Sequence, residues 1–204
     1  PAKPELVNGY RTDFSIHNCE LHGNHAYLTS GDALEIIDVG RESPEHVGNW
    51  RLTDYDGNYG AAGFGVANLH DMYVQRERAY LAFWDAGAWI LDVSDPANPT
   101  HLGHAIEYTP EELADPPQGA TLEPPGNDHY VQPNDDGTIL AVGKESWDLE
   151  SGDDSGGPSG IALWDISDPT DPTELSYIDP VPVPEGETGE YGGYTTTSHN
   201  FEIA

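Results

Sequence analysis

Three histidines, His17, His70 and His129, each head a stretch of sequence in which the same apolar runs and turns recur in the same order. Ten residues after each histidine an apolar run opens, at Tyr27, Tyr80 and Ile139. A polar turn precedes each run: His22-Gly23-Asn24-His25, Gln75-Arg76-Glu77-Arg78 and Asn134-Asp135-Asp136-Gly137. The last is a strong hairpin signal, because glycine accepts the positive φ such turns need. A further strand follows in each unit, Leu34–Val39, Trp89–Val93 and Ile161–Ile166. Two units then place Ser-Asp-Pro, at Ser94-Asp95-Pro96 and Ser167-Asp168-Pro169, where Asp caps the turn and Pro pre-sets its φ. In the first unit this turn degenerates to Gly40-Arg41-Glu42-Ser43-Pro44. A fourth short strand begins near His46, His101 and Glu174.

A repeat of this kind constrains the fold more than any other feature of a chain. Four short antiparallel strands per unit predict an all-β protein, a β-propeller of four-stranded antiparallel blades, ahead of a solenoid or sandwich. Blades are expected over 17–52, 70–106 and 129–178, with 1–16 ending a preceding blade and 199–204 opening the next. The chain 1–204 is thus expected to be a single propeller segment of about three complete blades plus parts of two others. The remaining blades would come from the same polypeptide or from partner chains. Successive units stand farther apart than the usual period of about 40–50 residues, and the excess falls in loop insertions.

The residues Trp89-Ile90-Leu91-Asp92-Val93-Ser94-Asp95-Pro96-Ala97-Asn98-Pro99 and Leu163-Trp164-Asp165-Ile166-Ser167-Asp168-Pro169 resemble the LVIVD repeat, found in bacterial and archaeal surface proteins. The resemblance covers nearly the whole chain outside the insertions. It implies a propeller and a location at the cell surface or outside the cell, but it does not imply an activity, since fold and function are separable.

Charge bears on the partners. The chain carries 37 acidic and 7 basic residues, a formal charge of −30. Such self-repulsion calls for screening by concentrated salt, which points to a halophilic source; with the repeat, the likeness is to haloarchaeal members of the family. Five Trp and eleven Tyr argue against disorder. A nucleic acid is excluded as partner because no basic stripe exists. No apolar run approaches the roughly 20 residues of a membrane span.

The long insertions, 53–69, 107–128, 179–198 and 147–158, all fall in the two loop classes that share one face of a propeller, so that face is expected to bind something. His17, His70, His129 and His199 open the innermost strand at the same end. A ring of imidazoles suits Zn, Cu, Fe or Ni, and Asp32, Asp85 and Glu145, at the ends of second strands, offer carboxylates. The metal candidates are therefore His17, His70, His129, His199 and Glu145. The alternative role for these histidines is hydrogen bonding between blades. Asp54-x-Asp56-x-Asn58 resembles the start of a calcium loop, but its glycine is misplaced and no closing Glu follows, so a Gly-rich turn is the expectation here. Cys19 is alone and is expected to be a buried, inert thiol. No nucleophile elbow, phosphate-binding glycine pattern or cysteine pair is present.

Two functions follow. The first is a non-enzymatic extracytoplasmic binding or assembly scaffold, with a protein or carbohydrate ligand on the decorated face. The second is a metal-binding propeller, or a metal-dependent oxidoreductase, with a histidine ring at the channel mouth.

Overall fold

The structure, a computed structural model, describes residues 3, 5–6, 8–61, 67–106, 108–114, 127–145, 160–178, 201 and 203. These residues form three four-stranded antiparallel sheets and three short helices. The first sheet runs β1 (Cys19–His22), β2 (His25–Ser30), β3 (Ala33–Asp38) and β4 (Glu45–Arg51). Helices α1 (Leu52–Tyr55) and α2 (Gly57–Ala61) follow. The second sheet holds β5 (Asp71–Gln75), β6 (Arg78–Ala82), β7 (Ala88–Asp92) and β8 (Thr100–Ala105), followed by α3 (Pro110–Ala114). The third holds β9 (Asn127–Pro133), β10 (Ile139–Glu145), β11 (Ile161–Asp165) and β12 (Thr173–Ile178). In each sheet spatial order equals chain order. No sheet closes on itself.

Alternation along the strands explains the stacking of the sheets. In the second sheet Ala79, Leu81, Trp89 and Leu91 face one way, into a core shared with Tyr27, Leu34, Ile36 and Trp50 of the first sheet. Their neighbours Tyr80, Ala82, Ala88 and Ile90 face the other way, onto Val131, Leu140, Val142 and Trp164 of the third. A period of two residues with both phases apolar gives a sheet buried on both faces. Each fully buried Leu or Ile contributes roughly 1.5–3 kcal/mol, so the middle sheet ties the other two together.

One irregularity recurs in register. Between the third and fourth strands of every sheet the pairing shifts by one residue, passing over Val47, Leu102 and Leu175. Just beyond the shift stand Gly48 and Gly103. A methyl group at Gly48 would meet the Pro96 carbonyl oxygen at 2.2 Å, and one at Gly103 would meet that of Pro169 at the same distance. The Asp-Pro turns of the second and third sheets therefore seat directly on the outer strand of the sheet before each.

The structure corrects one expectation, the burial of Cys19, and describes the segment that resembles a calcium loop. Cys19 is exposed, because it faces the opposite way from its neighbour Glu20, which reaches the second sheet. The segment Asp54–Asn58 lies in and between α1 and α2, where the Asp56 carboxylate accepts the Asn58 amide at 2.9 Å. Asp54 points to solvent, 84% exposed and 4.0 Å from Arg51, so these oxygens do not wrap a common centre.

Candidate functional site: a histidine and carboxylate cluster between sheets

The first strands of successive sheets lie side by side, and this brings the repeated histidines together. His17 and His70 each stand just before a strand and extend the ladder, their amides donating to Thr29 and Ala82 carbonyls at 3.1 and 2.9 Å. His129 lies inside β9, which begins two residues earlier. The pairing of β9 with β10 steps from Gly143–Tyr130 to Lys144–Asp128, leaving His129 as the unmatched residue of a bulge. Bulges re-aim side chains, and here the re-aimed side chain is the histidine.

The three imidazoles form a row. Ring centroids of His17 and His70 are 4.2 Å apart, and those of His70 and His129 are 3.8 Å apart. The His70 Nδ1 lies 3.3 Å from the His129 carbonyl oxygen. If Nδ1 carries the proton and donates it there, Nε2 is the nitrogen with a free lone pair. Glu145, at the end of β10, presents Oε2 to His129 Nε2 at 3.4 Å. One ligand atom each from His70, His129 and Glu145 can be chosen so that all lie within 4.8 Å of one another. Two donors about 2.1 Å from a single ion stand roughly 3–4 Å apart, so a small inward rotation would let the three share one cation. His17 is in ring contact with this group but outside the three-atom set. His199 lies outside the described residues, as do Trp147 and the acidic residues of 147–158.

Around the cluster the structure adds groups that the spacing of the sequence did not reveal. Lys144 and Asp128 form an ion pair at 2.6 Å, both almost wholly buried. The signal was present: a lysine in the apolar run Ile139–Glu145 must be paired if the strand is buried. Burial, and then the nearby Asp128, push Asp85 up to about 6, against the opposing pull of Lys144. Asp128 is likewise raised by burial, with Lys144 drawing it back down. Asp85 and Asp128 thus both bear on one ammonium; burial favours their neutral forms, and a cation within reach would favour the charged ones.

Trp84 stacks on His70, ring centroids 5.9 Å apart and planes at 20°, with its backbone at φ 38°. A bulky residue in the left-handed region costs of order 1–3 kcal/mol. It is held there by the Asp128 amide, which donates to the Trp84 carbonyl at 3.1 Å. Among the described residues, Trp84 Nε1 and Asp85 Oδ1 are buried without a hydrogen-bond partner. Asp32, the counterpart of Asp85 in the first sheet, is instead engaged by Arg51 and Thr53.

A second histidine pair lies elsewhere. His101 Nε2 and His104 Nδ1 are 3.4 Å apart on β8. Both rings pack on Trp89, at 5.0 and 4.6 Å. Three residues apart, they share one side of the strand because of the register shift at Leu102. Burial lowers the pKa of both, which suits neutral rings in the aromatic packing between the first two sheets.

Comparisons with known proteins cover both sequence and fold. Residues 70–105 match the family model of the LVIVD repeat. The computationally designed Ika4 protein, known from a crystal structure, is similar over 87% of this chain and 81% of its own, at 10% identity and a TM-score of 0.48. No curated protein matches the chain. None of these matches bears on a haloarchaeal source. The segment 70–105 spans β5–β8, so the middle sheet is an LVIVD repeat, and it is flanked by two sheets of the same strand order.

Proposed function

We propose that this chain is part of a β-propeller that binds a transition metal between two blades, with His70, His129 and Glu145 as protein ligands. The observation that carries the reading is the convergence of these three side chains to within 4.8 Å at the mouth of the inner strands. Two imidazoles and a carboxylate are a donor set suited to zinc or iron(II), and leave open positions for a further ligand. A cation within reach would also favour the charged forms of Asp85 and Asp128. His17 and the strained, stacked Trp84 would flank the ion and shape what else can approach it. The propeller reading rests on the repeat, on three sheets of identical strand order and on the adjacency of their first strands. The acidic surface supports work in concentrated salt.

A scaffold function without metal is the second reading. The approach of His70 Nδ1 to the His129 carbonyl favours it, since that contact alone lets the histidines join neighbouring blades.

Metal analysis separates the two. The complete protein, purified in high salt without chelator, is expected to carry near-stoichiometric zinc or iron by plasma mass spectrometry. A His70→Ala/His129→Ala variant is expected to lose it, and chelation to lower the melting temperature of the wild type only. A wild type free of metal, which takes up none of either ion and melts identically with chelator, would leave the scaffold reading standing.

A further inference from the structure

At the opposite end of the sheets the β5–β6 and β9–β10 turns enclose a cleft of about 250 Å³, with Ser167 on its far wall. Its lining is unusual for this chain. The sequence holds only seven basic residues, and two of them, Arg76 and Arg78, meet here. Among the described residues neither arginine has a carboxylate within ion-pair distance, whereas Arg41 and Arg51 both do. Arg76 donates to a backbone oxygen, the Asp136 carbonyl, at 2.9 Å. Asp92, across the strand from Arg78, accepts from the Ser94 amide at 2.8 Å and meets Arg78 only as a charge beyond ion-pair distance. In a chain with 37 acidic residues, two guanidiniums without carboxylate partners beside one cleft require an explanation.

The backbone supplies a second observation. The turn that carries the arginines places Arg76 at φ 50° and Glu77 at φ 62°. A two-residue hairpin with both central residues at positive φ strongly prefers Asn and Gly. The matching turn of the first sheet puts only Gly23 in that region, at φ 59°, with Asn24 outside it. The second sheet instead holds two side-chain-bearing residues there. Departures of this kind concentrate where a side chain serves a function.

The remaining lining is the Tyr80, Thr138 and Ser167 hydroxyls, the Gln75 amide, Gly137 and Asp136, the acidic residue whose carbonyl accepts from Arg76. The Gln75 Oε1 is buried and lacks a hydrogen-bond partner among the described residues. Both arginines bear on the Tyr80 phenol, Arg78 the more closely, and oppose the rise in its pKa that burial imposes.

We propose that this cleft binds a small tetrahedral oxyanion of the phosphate class, held by Arg76 and Arg78 and by the surrounding hydroxyls. Paired guanidiniums present fork-like donors matched to such oxygens. Gln75 Oε1, an acceptor, is suited to the P–OH of hydrogen phosphate, which sulfate lacks. The site is separate from the histidine cluster and does not depend on it.

The test is calorimetric titration of the full chain with inorganic phosphate, and separately with sulfate, in 1 M KCl to screen the chain's own charge. Saturable phosphate binding is expected, with sulfate weaker. Arg78→Gln is expected to weaken phosphate at least tenfold, while the His70→Ala/His129→Ala variant leaves it unchanged. Arg76→Gly is the informative variant, since it relieves the turn's strain and should fold well. It is expected to keep or raise the melting temperature while losing phosphate. Absence of saturable binding in the wild type would overturn the proposal. So would Arg76→Gly melting lower with phosphate binding intact, because Arg76 would then be only a staple to the Asp136 carbonyl.

Discussion

Glu20 on β1 reaches across to the second sheet, where its carboxylate accepts the Val74 amide at 2.8 Å. Burial pushes it up to about 7 from an ordinary 4.5; Asp71 adds to the rise, and the Val74 hydrogen bond only partly offsets it. Between those two values the folded chain holds a proton that the unfolded chain has released. This contribution is full below about pH 4.5 and is lost as pH rises through about 7. Glu20→Gln keeps an acceptor for Val74 and removes the titration. Melting curves from pH 5 to pH 8 are therefore expected to fall less steeply for the variant than for the wild type, with the gain largest at pH 8. Parallel curves would show that Glu20 ionises without penalty. Asp128 and Lys144 show another way to hold a buried charge, by direct pairing at 2.6 Å. Removing one partner of such a pair typically costs about 3–5 kcal/mol, which is why a lysine is tolerated inside β10 at all.

The sheets stack through a contact that recurs between elements, a glycine on the outer strand beneath the Asp-Pro turn of the next sheet. Gly103→Ala would force its methyl group against the Pro169 carbonyl oxygen, and backbone cannot swing aside as a flexible side chain could. A loss of about 1–3 kcal/mol is expected by chemical denaturation, the usual range for overpacking. The corresponding position of the third sheet is Ser176, opposite Leu163 on the exposed strand β12. Ser176→Ala there is expected to stay within about 0.5 kcal/mol. Equal effects at the two positions would remove the turn from the stacking contact. Much of this element plan was legible in sequence, because apolar runs, hairpin turns and Ser-Asp-Pro recur in one order. The register shifts at Val47, Leu102 and Leu175 were not, since a bulge is a property of pairing and leaves no fixed residue signature. The histidine row was legible as a column, and Glu145 as a strand end. The bulge that turns His129 toward it, the Asp128–Lys144 pair and the strained Trp84 became visible only once β9 and β10 were in register. Cys19 was misjudged for a related reason: parity along a strand says which residues share a face, not which face is covered.

At the scale of the whole molecule the dominant quantity is the charge of −30. The seven basic residues are already counted in that figure, and three of them, Lys144, Arg41 and Arg51, are paired with particular carboxylates. The rest of the acidic excess must be screened by solvent ions. At 0.15 M salt the Debye length is about 8 Å, which leaves neighbouring surface carboxylates in mutual repulsion; at 1 M it is about 3 Å. Folding brings these charges closer than they lie in the expanded chain, so the repulsion opposes the folded state and salt relieves it. The melting temperature is expected to rise continuously between 0.1 and 2 M KCl, with about 2–4 °C for each kcal/mol regained in a chain of this size. Screening depends on ionic strength, so NaCl should act equally, and substituting surface Asp and Glu by Asn and Gln in the first sheet should flatten the rise. A rise produced by sulfate but not by chloride would instead mark stronger exclusion of apolar surface. A melting temperature that does not move with KCl would mean that the acidic side chains are spaced widely enough for water alone, and that the charge is no adaptation to salt.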